Sequence, residues 1–89
     1  MPKAEISWKR RAPEGETLQC YAQHVGRAWI FYHRGKRFDQ WQETKFPPLD
    51  DWLALLDSIR RRINRRLLRP EEEDRILKII SERFPGTEV

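Results

Sequence analysis

Hydrophobic and polar residues alternate along the first half of this chain and recur at spacings of three and four along the second. Ile6 and Trp8 alternate with Ser7 and Lys9, as on a short half-buried strand. Two longer runs, 17–24 and 27–34, are rich in aromatic and β-branched residues and flank Val25-Gly26. A fourth candidate strand, 37–42, follows Arg34-Gly35-Lys36. Pro13-Glu14-Gly15 is a further turn signal, so residues 5–43 predict an antiparallel meander. A two-residue turn at Val25-Gly26 would pair Ala22 with Trp29, Cys20 with Phe31 and Leu18 with His33. One face then collects Leu18, Cys20, Ala22, Trp29 and Phe31. The other holds Tyr21, Ile30 and Tyr32 among Thr17, Gln19 and Gln23, more aromatic than a solvent face requires. A bulge at the turn would slip the register and exchange the faces.

From Pro47 the period becomes helical. Pro48 suits a first helical position, and Asp50 and Asp51 place negative charge where the helix dipole favours it. Leu49, Trp52, Leu53, Leu56, Ile59, Ile63 and Leu67 share one face, predicting a helix over 48–68. Pro70 separates it from a second helix over 71–84, whose apolar face is Ile76, Leu77, Ile80 and Phe84, with Ile79 at the margin. So short a connection predicts an antiparallel or steeply crossed helix pair. The expected fold class is α+β: a three- to four-stranded antiparallel β-meander followed by two amphipathic helices packed on one face. Eighty-nine residues make one small domain, with a β half over about 5–43, a helical pair over about 48–84 and a short tail over 85–89.

Composition narrows the class. Four Trp, four Phe and two Tyr can fill a small core in spite of 36% charged residues. Cys20 is the sole cysteine, so no intramolecular disulfide forms, and an unstapled small domain is expected in a reducing, cytoplasmic setting. The N-terminus lacks the apolar run of a signal peptide, and no segment approaches a membrane span.

The net charge is +4, and its placement matters more than its size. Residues 1–48 carry nine Lys and Arg against five Asp and Glu, while residues 49–89 carry nine of each. Six arginines between Arg60 and Arg69 are followed by Pro70 and then by Glu71, Glu72, Glu73 and Asp74. On one continuous helix, Arg61, Arg62, Arg65 and Arg69 fall opposite the apolar stripe and could form a secondary anion-binding face tracking phosphates. Arg60 falls near the stripe and must snorkel or pair. Against the anion reading, late arginines suit the helix dipole and the acids that follow offer them partners. The zero balance of this half favours that second reading.

The uncompensated charge lies in the β half. Lys9, Arg10, Arg11, Arg27, Arg34, Lys36 and Arg37 fall at strand ends and turns, interleaved with Trp8, Trp29, Tyr32, Phe38 and Trp41. Cations and aromatics on one sheet can hold phosphates and stack bases. Lys9, Arg10, Arg34, Lys36 and Arg37 are the candidate nucleic-acid-binding residues, for DNA or RNA. The alternative is that the aromatics are core and that the chain binds a protein partner, or itself as a homodimer. A basic surface free of acids would favour nucleic acid. An exposed apolar patch of several hundred Å² would favour a protein. The segment Trp29–Arg37, with a following strand and an acid-capped helix, resembles the three-strands-plus-helix arm-binding domain of tyrosine integrases over residues 27–59. That resemblance implies sheet-mediated DNA contact through Arg34, Lys36 and Arg37. The second helix lies outside the pattern.

Little points to catalysis, so a non-enzymatic binding module without cofactor or metal is expected. Cys20 and His33 come out as diagonal neighbours in the simple register, and such a pair can make a nucleophile. A lone strand cysteine is more often a small buried hydrophobe. His24 and His33 fall too far apart along the strands to share a metal, and no Cys/His cluster has zinc spacing. There is no Gly-rich phosphate loop, and Glu71–Asp74 reads as a helix start rather than a calcium loop.

Overall fold

The computed structural model describes residues 5–26, 28–35 and 39–88. It places β1 (Glu5–Arg11), β2 (Thr17–Val25), β3 (Ala28–Arg34) and β4 (Gln42–Glu43) in one antiparallel sheet ordered β1-β2-β3-β4, and follows them with α1 (Leu49–Asn64) and α2 (Glu71–Arg83). The expected β-then-α order and the meander are both present. The chain divides into two compact units, residues 1–47 and 48–89.

In the sheet unit, Ala12 and Glu16 close the first hairpin through Ala12 N–H donating to Glu16 O at 2.7 Å. Gly15 donates back to Ala12 O at 2.9 Å and sits at φ 94°, the left-handed residue that a three-residue hairpin loop requires. The second hairpin corrects the expected register. Val25 pairs with Ala28, so the turn begins at Gly26 (φ 61°) rather than at Val25. A tight hairpin turn needs positive φ at its first central position, which glycine accepts and β-branched valine resists. Moving the turn by one residue moves the pairing by two: Ala22 faces Phe31, Cys20 faces His33 and His24 faces Trp29. An even shift leaves each side chain on its original face, so the two face sets survive the correction. The first face carries the buried residues Ile6, Cys20, Ala22 and Phe31, with Trp8 packed edge-on against Phe31 at 5.9 Å. The last strand is shorter and later than the expected 37–42. Only Gln42 and Glu43 form it, extended by Thr44 N–H donating to Phe31 O at 2.7 Å.

In the helical unit, α1 begins after Pro48 and α2 after Pro70, each with the expected acids in its first turn. Asp51 and Glu72 are buried there, where the exposed N–H ends of the helix favour a carboxylate. Leu55, Ile59, Ile76 and Ile80 are all at most 1% exposed and form the centre of this unit. Leu55 was absent from the expected stripe, and Leu67, placed on it, is 63% exposed. Leu67 is exposed because α1 stops at Asn64, four residues short of the expected end. Arg66 takes φ 61°, Arg66 N–H donates to Ile63 O at 2.9 Å, and Leu67 N–H donates to Arg62 O at 2.8 Å. This is a Schellman ending, with arginine where glycine is usual. The two helices are tied by Arg60 Nε donating to Glu73 Oε2 at 2.6 Å and by Arg83 lying 5.5 Å from the Trp52 ring centre. Among the described residues, no helix is long and apolar enough to cross a membrane.

Candidate nucleic-acid interface

The second face of the sheet is built in rows. Lys9 pairs with Gln19 and Gln19 with Arg34, so these three stand side by side across β1, β2 and β3. Two strand spacings of about 4.8 Å put the two cations roughly 10 Å apart at the backbone. The next row is Ser7, Tyr21, Tyr32 and Glu43, and Arg11 lies beyond Lys9 on the same face opposite Thr17. Glu5, opposite Gln23, lies beyond the aromatic row. The face is therefore polarised, with Arg11, Lys9 and Arg34 toward one end and Glu5 and Glu43 toward the other.

Side-chain contacts organise the middle. Arg34 Nε donates to Gln19 Oε1 at 2.7 Å, and the Arg34 guanidinium carbon stands 4.2 Å from the centre of the Trp41 ring. Tyr21 stacks on Tyr32 with ring centres 4.7 Å apart and planes 17° apart. Tyr21 also meets Trp41 at 4.6 Å and 89°, an edge-to-face contact. Burial, followed by the neighbouring Tyr32 and Glu5, pushes the Tyr21 phenol above its ordinary value, so it stays protonated at neutral pH. Ser7, Lys9, Gln19 and Trp41, with the Trp8 and Cys20 stretches of β1 and β2 between them, line a groove of about 460 Å³.

Of the sequence candidates, Lys9 and Arg34 are brought together. Arg10 is not: strand alternation turns it to the other face, opposite Leu18. Lys36 and Arg37, like Arg27 and Phe38, lie outside the described residues. Trp8 and Trp29 also belong to the first face, where Trp29 stacks on His24 at 4.5 Å. The end of β3 is not free of acids. A Cβ built on Gly35 would stand 2.5 Å from Glu16 Oε1 and 3.4 Å from Asp39 Oδ2, so two carboxylates crowd this end. Sequence reasoning missed Ser7, Gln19 and Tyr21 as site residues. Alternation marked their face, but only the cross-strand register aligned Gln19 between two cations.

The four-arginine face does not form as one helical surface, because α1 ends before Arg65 and Arg69. Arg61 pairs with Asp57 at 2.6 Å, and Arg60 pairs with Glu73. Arg75 pairs with Glu72 at 3.1 Å within α2. The basic and acidic blocks meet at the Arg60–Glu73 ion pair, made by the arginine nearest the apolar stripe.

Cys20 and His33 are direct partners across β2 and β3 rather than diagonal ones. Cys20 is 1% exposed, and His33 Nδ1 lies 2.6 Å from Thr44 Oγ1. Among the described residues, no three His, Cys, Asp or Glu side chains cluster as a metal site. Compared with protein-family models, curated proteins and solved structures, the chain has no match in any of the three. The likeness to the integrase arm-binding domain gains no support from them.

Proposed function

We propose that this protein is a non-enzymatic module that binds nucleic acid on the second face of its sheet. Lys9, Arg11 and Arg34 meet phosphates, and the Tyr21–Tyr32–Trp41 cluster meets bases. The observation that carries this reading is the Lys9–Gln19–Arg34 row with Arg34 laid on Trp41. It sets a fixed cation, an amide and an aromatic ring beside one another along a groove, the combination by which sheet surfaces hold unstacked bases and their backbone. The test is a titration of the whole chain against duplex DNA, single-stranded DNA and RNA at two salt concentrations. Binding of roughly micromolar strength that weakens steeply with salt is expected. The double variant Lys9→Gln/Arg34→Gln should lower the slope of log K against log salt by about 1 to 2. No binding at low salt to any of the three would remove this reading.

One observation favours a protein partner instead. Phe46, directly before Pro47, is 88% exposed. Phe46→Ser would then abolish a self-association seen by sedimentation while leaving nucleic-acid titrations unchanged.

A further inference from the structure

The hydrogen bond between Arg34 and Gln19 decides which atoms the groove presents. A guanidinium has donors and no acceptor, so the atom of Gln19 that faces Arg34 Nε at 2.7 Å must be its amide oxygen. The amide nitrogen, with two N–H donors, is then the end of Gln19 left for a ligand. Lys9 and Ser7 line the same groove; a lysine ammonium only donates, and a serine hydroxyl donates or accepts. Trp41 supplies the aromatic wall. Donors therefore outnumber acceptors, and a cation stands at one side.

Resting on the nucleic-acid reading above, we propose that this groove takes a single-stranded pyrimidine base with two ring carbonyls, uracil or thymine, in preference to adenine. The two carbonyl oxygens accept from the Gln19 amide and the Lys9 ammonium, and the ring N–H between them donates to the Ser7 hydroxyl. Adenine would bring its own amino donor against the same donors and leave one of them unmatched, which forfeits that hydrogen bond and gives uracil or thymine the advantage. Duplexes are poor ligands here, because pairing already occupies the edge that the groove reads. Gln19 is the specificity-determining residue, and Arg34 positions it.

The experiment is a fluorescence-anisotropy titration with labelled twelve-nucleotide dT, dA, rU and rA strands. It uses the full chain and its Gln19→Glu and Gln19→Ala variants, each checked for folding by circular dichroism. Gln19→Glu still offers Arg34 an acceptor but turns the free end from donor to acceptor. The wild type should prefer dT over dA and rU over rA by about tenfold, the scale of one well-made base contact. Both ratios should fall to within about twofold of one in both variants, whatever happens to overall affinity. Ratios that stay the same in the variants would overturn the proposal, assigning the preference to the self-stacking of adenine strands. Equal wild-type affinity for all four strands would overturn it while leaving the nucleic-acid reading intact. Failure to bind any strand at low salt would overturn both.

Discussion

Replacing Arg66 by glycine should make the protein more stable, although it deletes a charged side chain and adds the most flexible residue. Arg66 sits at φ 61° just past the end of α1, held by the bonds to Ile63 O and from Leu67 to Arg62 O. A left-handed backbone costs an L-residue roughly 1–2 kcal/mol through the contact between its Cβ and carbonyl oxygen, and glycine escapes this. Glycine in turn loses more chain entropy on folding, about 0.5–1 kcal/mol relative to alanine. The net gain is about 0.5–1 kcal/mol, or a rise in melting temperature of roughly 3–6 °C for a domain this size. Arg66→Ala is the control. It removes the same charge but keeps the Cβ, so it should stay within about 0.5 kcal/mol of the wild type. Urea unfolding followed by circular dichroism at 222 nm reports on both helices and measures the difference between the two variants. A glycine variant no more stable than the alanine variant would refute the left-handed ending and, with it, the early stop of α1.

Leu56→Ala, at a position 2% exposed, should destabilise by about 2–4 kcal/mol in the same urea assay, and a loss under about 0.5 kcal/mol would mean the stripe is misassigned. Arg60→Gln should cost at most about 1 kcal/mol and lose that effect in molar salt, because its pair with Glu73 is partly exposed and screened. Changing Arg61, Arg65 and Arg69 together to Gln should move stability by less than about 1 kcal/mol and leave binding on the sheet unchanged. A collapse of binding would instead show that the arginine block carries the phosphates. Tyr21, its phenol pushed up from the ordinary 10.0, favours the protonated fold. Its contribution is complete below the unfolded value and is lost as pH rises through the folded one, so Tyr21→Phe should flatten the fall of urea midpoint in alkali. An unchanged fall would assign it to other groups.

The open face of the sheet was partly legible in the chain. Period-two alternation separates Cys20, Ala22 and Phe31 from Tyr21, Ile30 and Tyr32 whatever the register, provided any slip is even. What alternation cannot supply is which residue of β1 lies level with which of β2 and β3. The separation of Lys9 from Arg10 needs no register at all: neighbours in sequence on a strand point to opposite faces, so alternation alone divides them.

The two secondary-structure periods, the prolines and the first-turn acids are local properties, and local physics was enough to place a meander before residue 44 and helices after Pro48 and Pro70. The start of the turn at Gly26 follows glycine's tolerance of positive φ, whereas the left-handed ending at Arg66 runs against its own residue's preference and is held by the hydrogen bonds from residues 66 and 67. The Lys9–Gln19–Arg34 row depends on more distant partners still. Residues 9, 19 and 34 come level only once two hairpins have closed, and the orientation of the Gln19 amide exists only because Arg34 arrives from the next strand to donate to it.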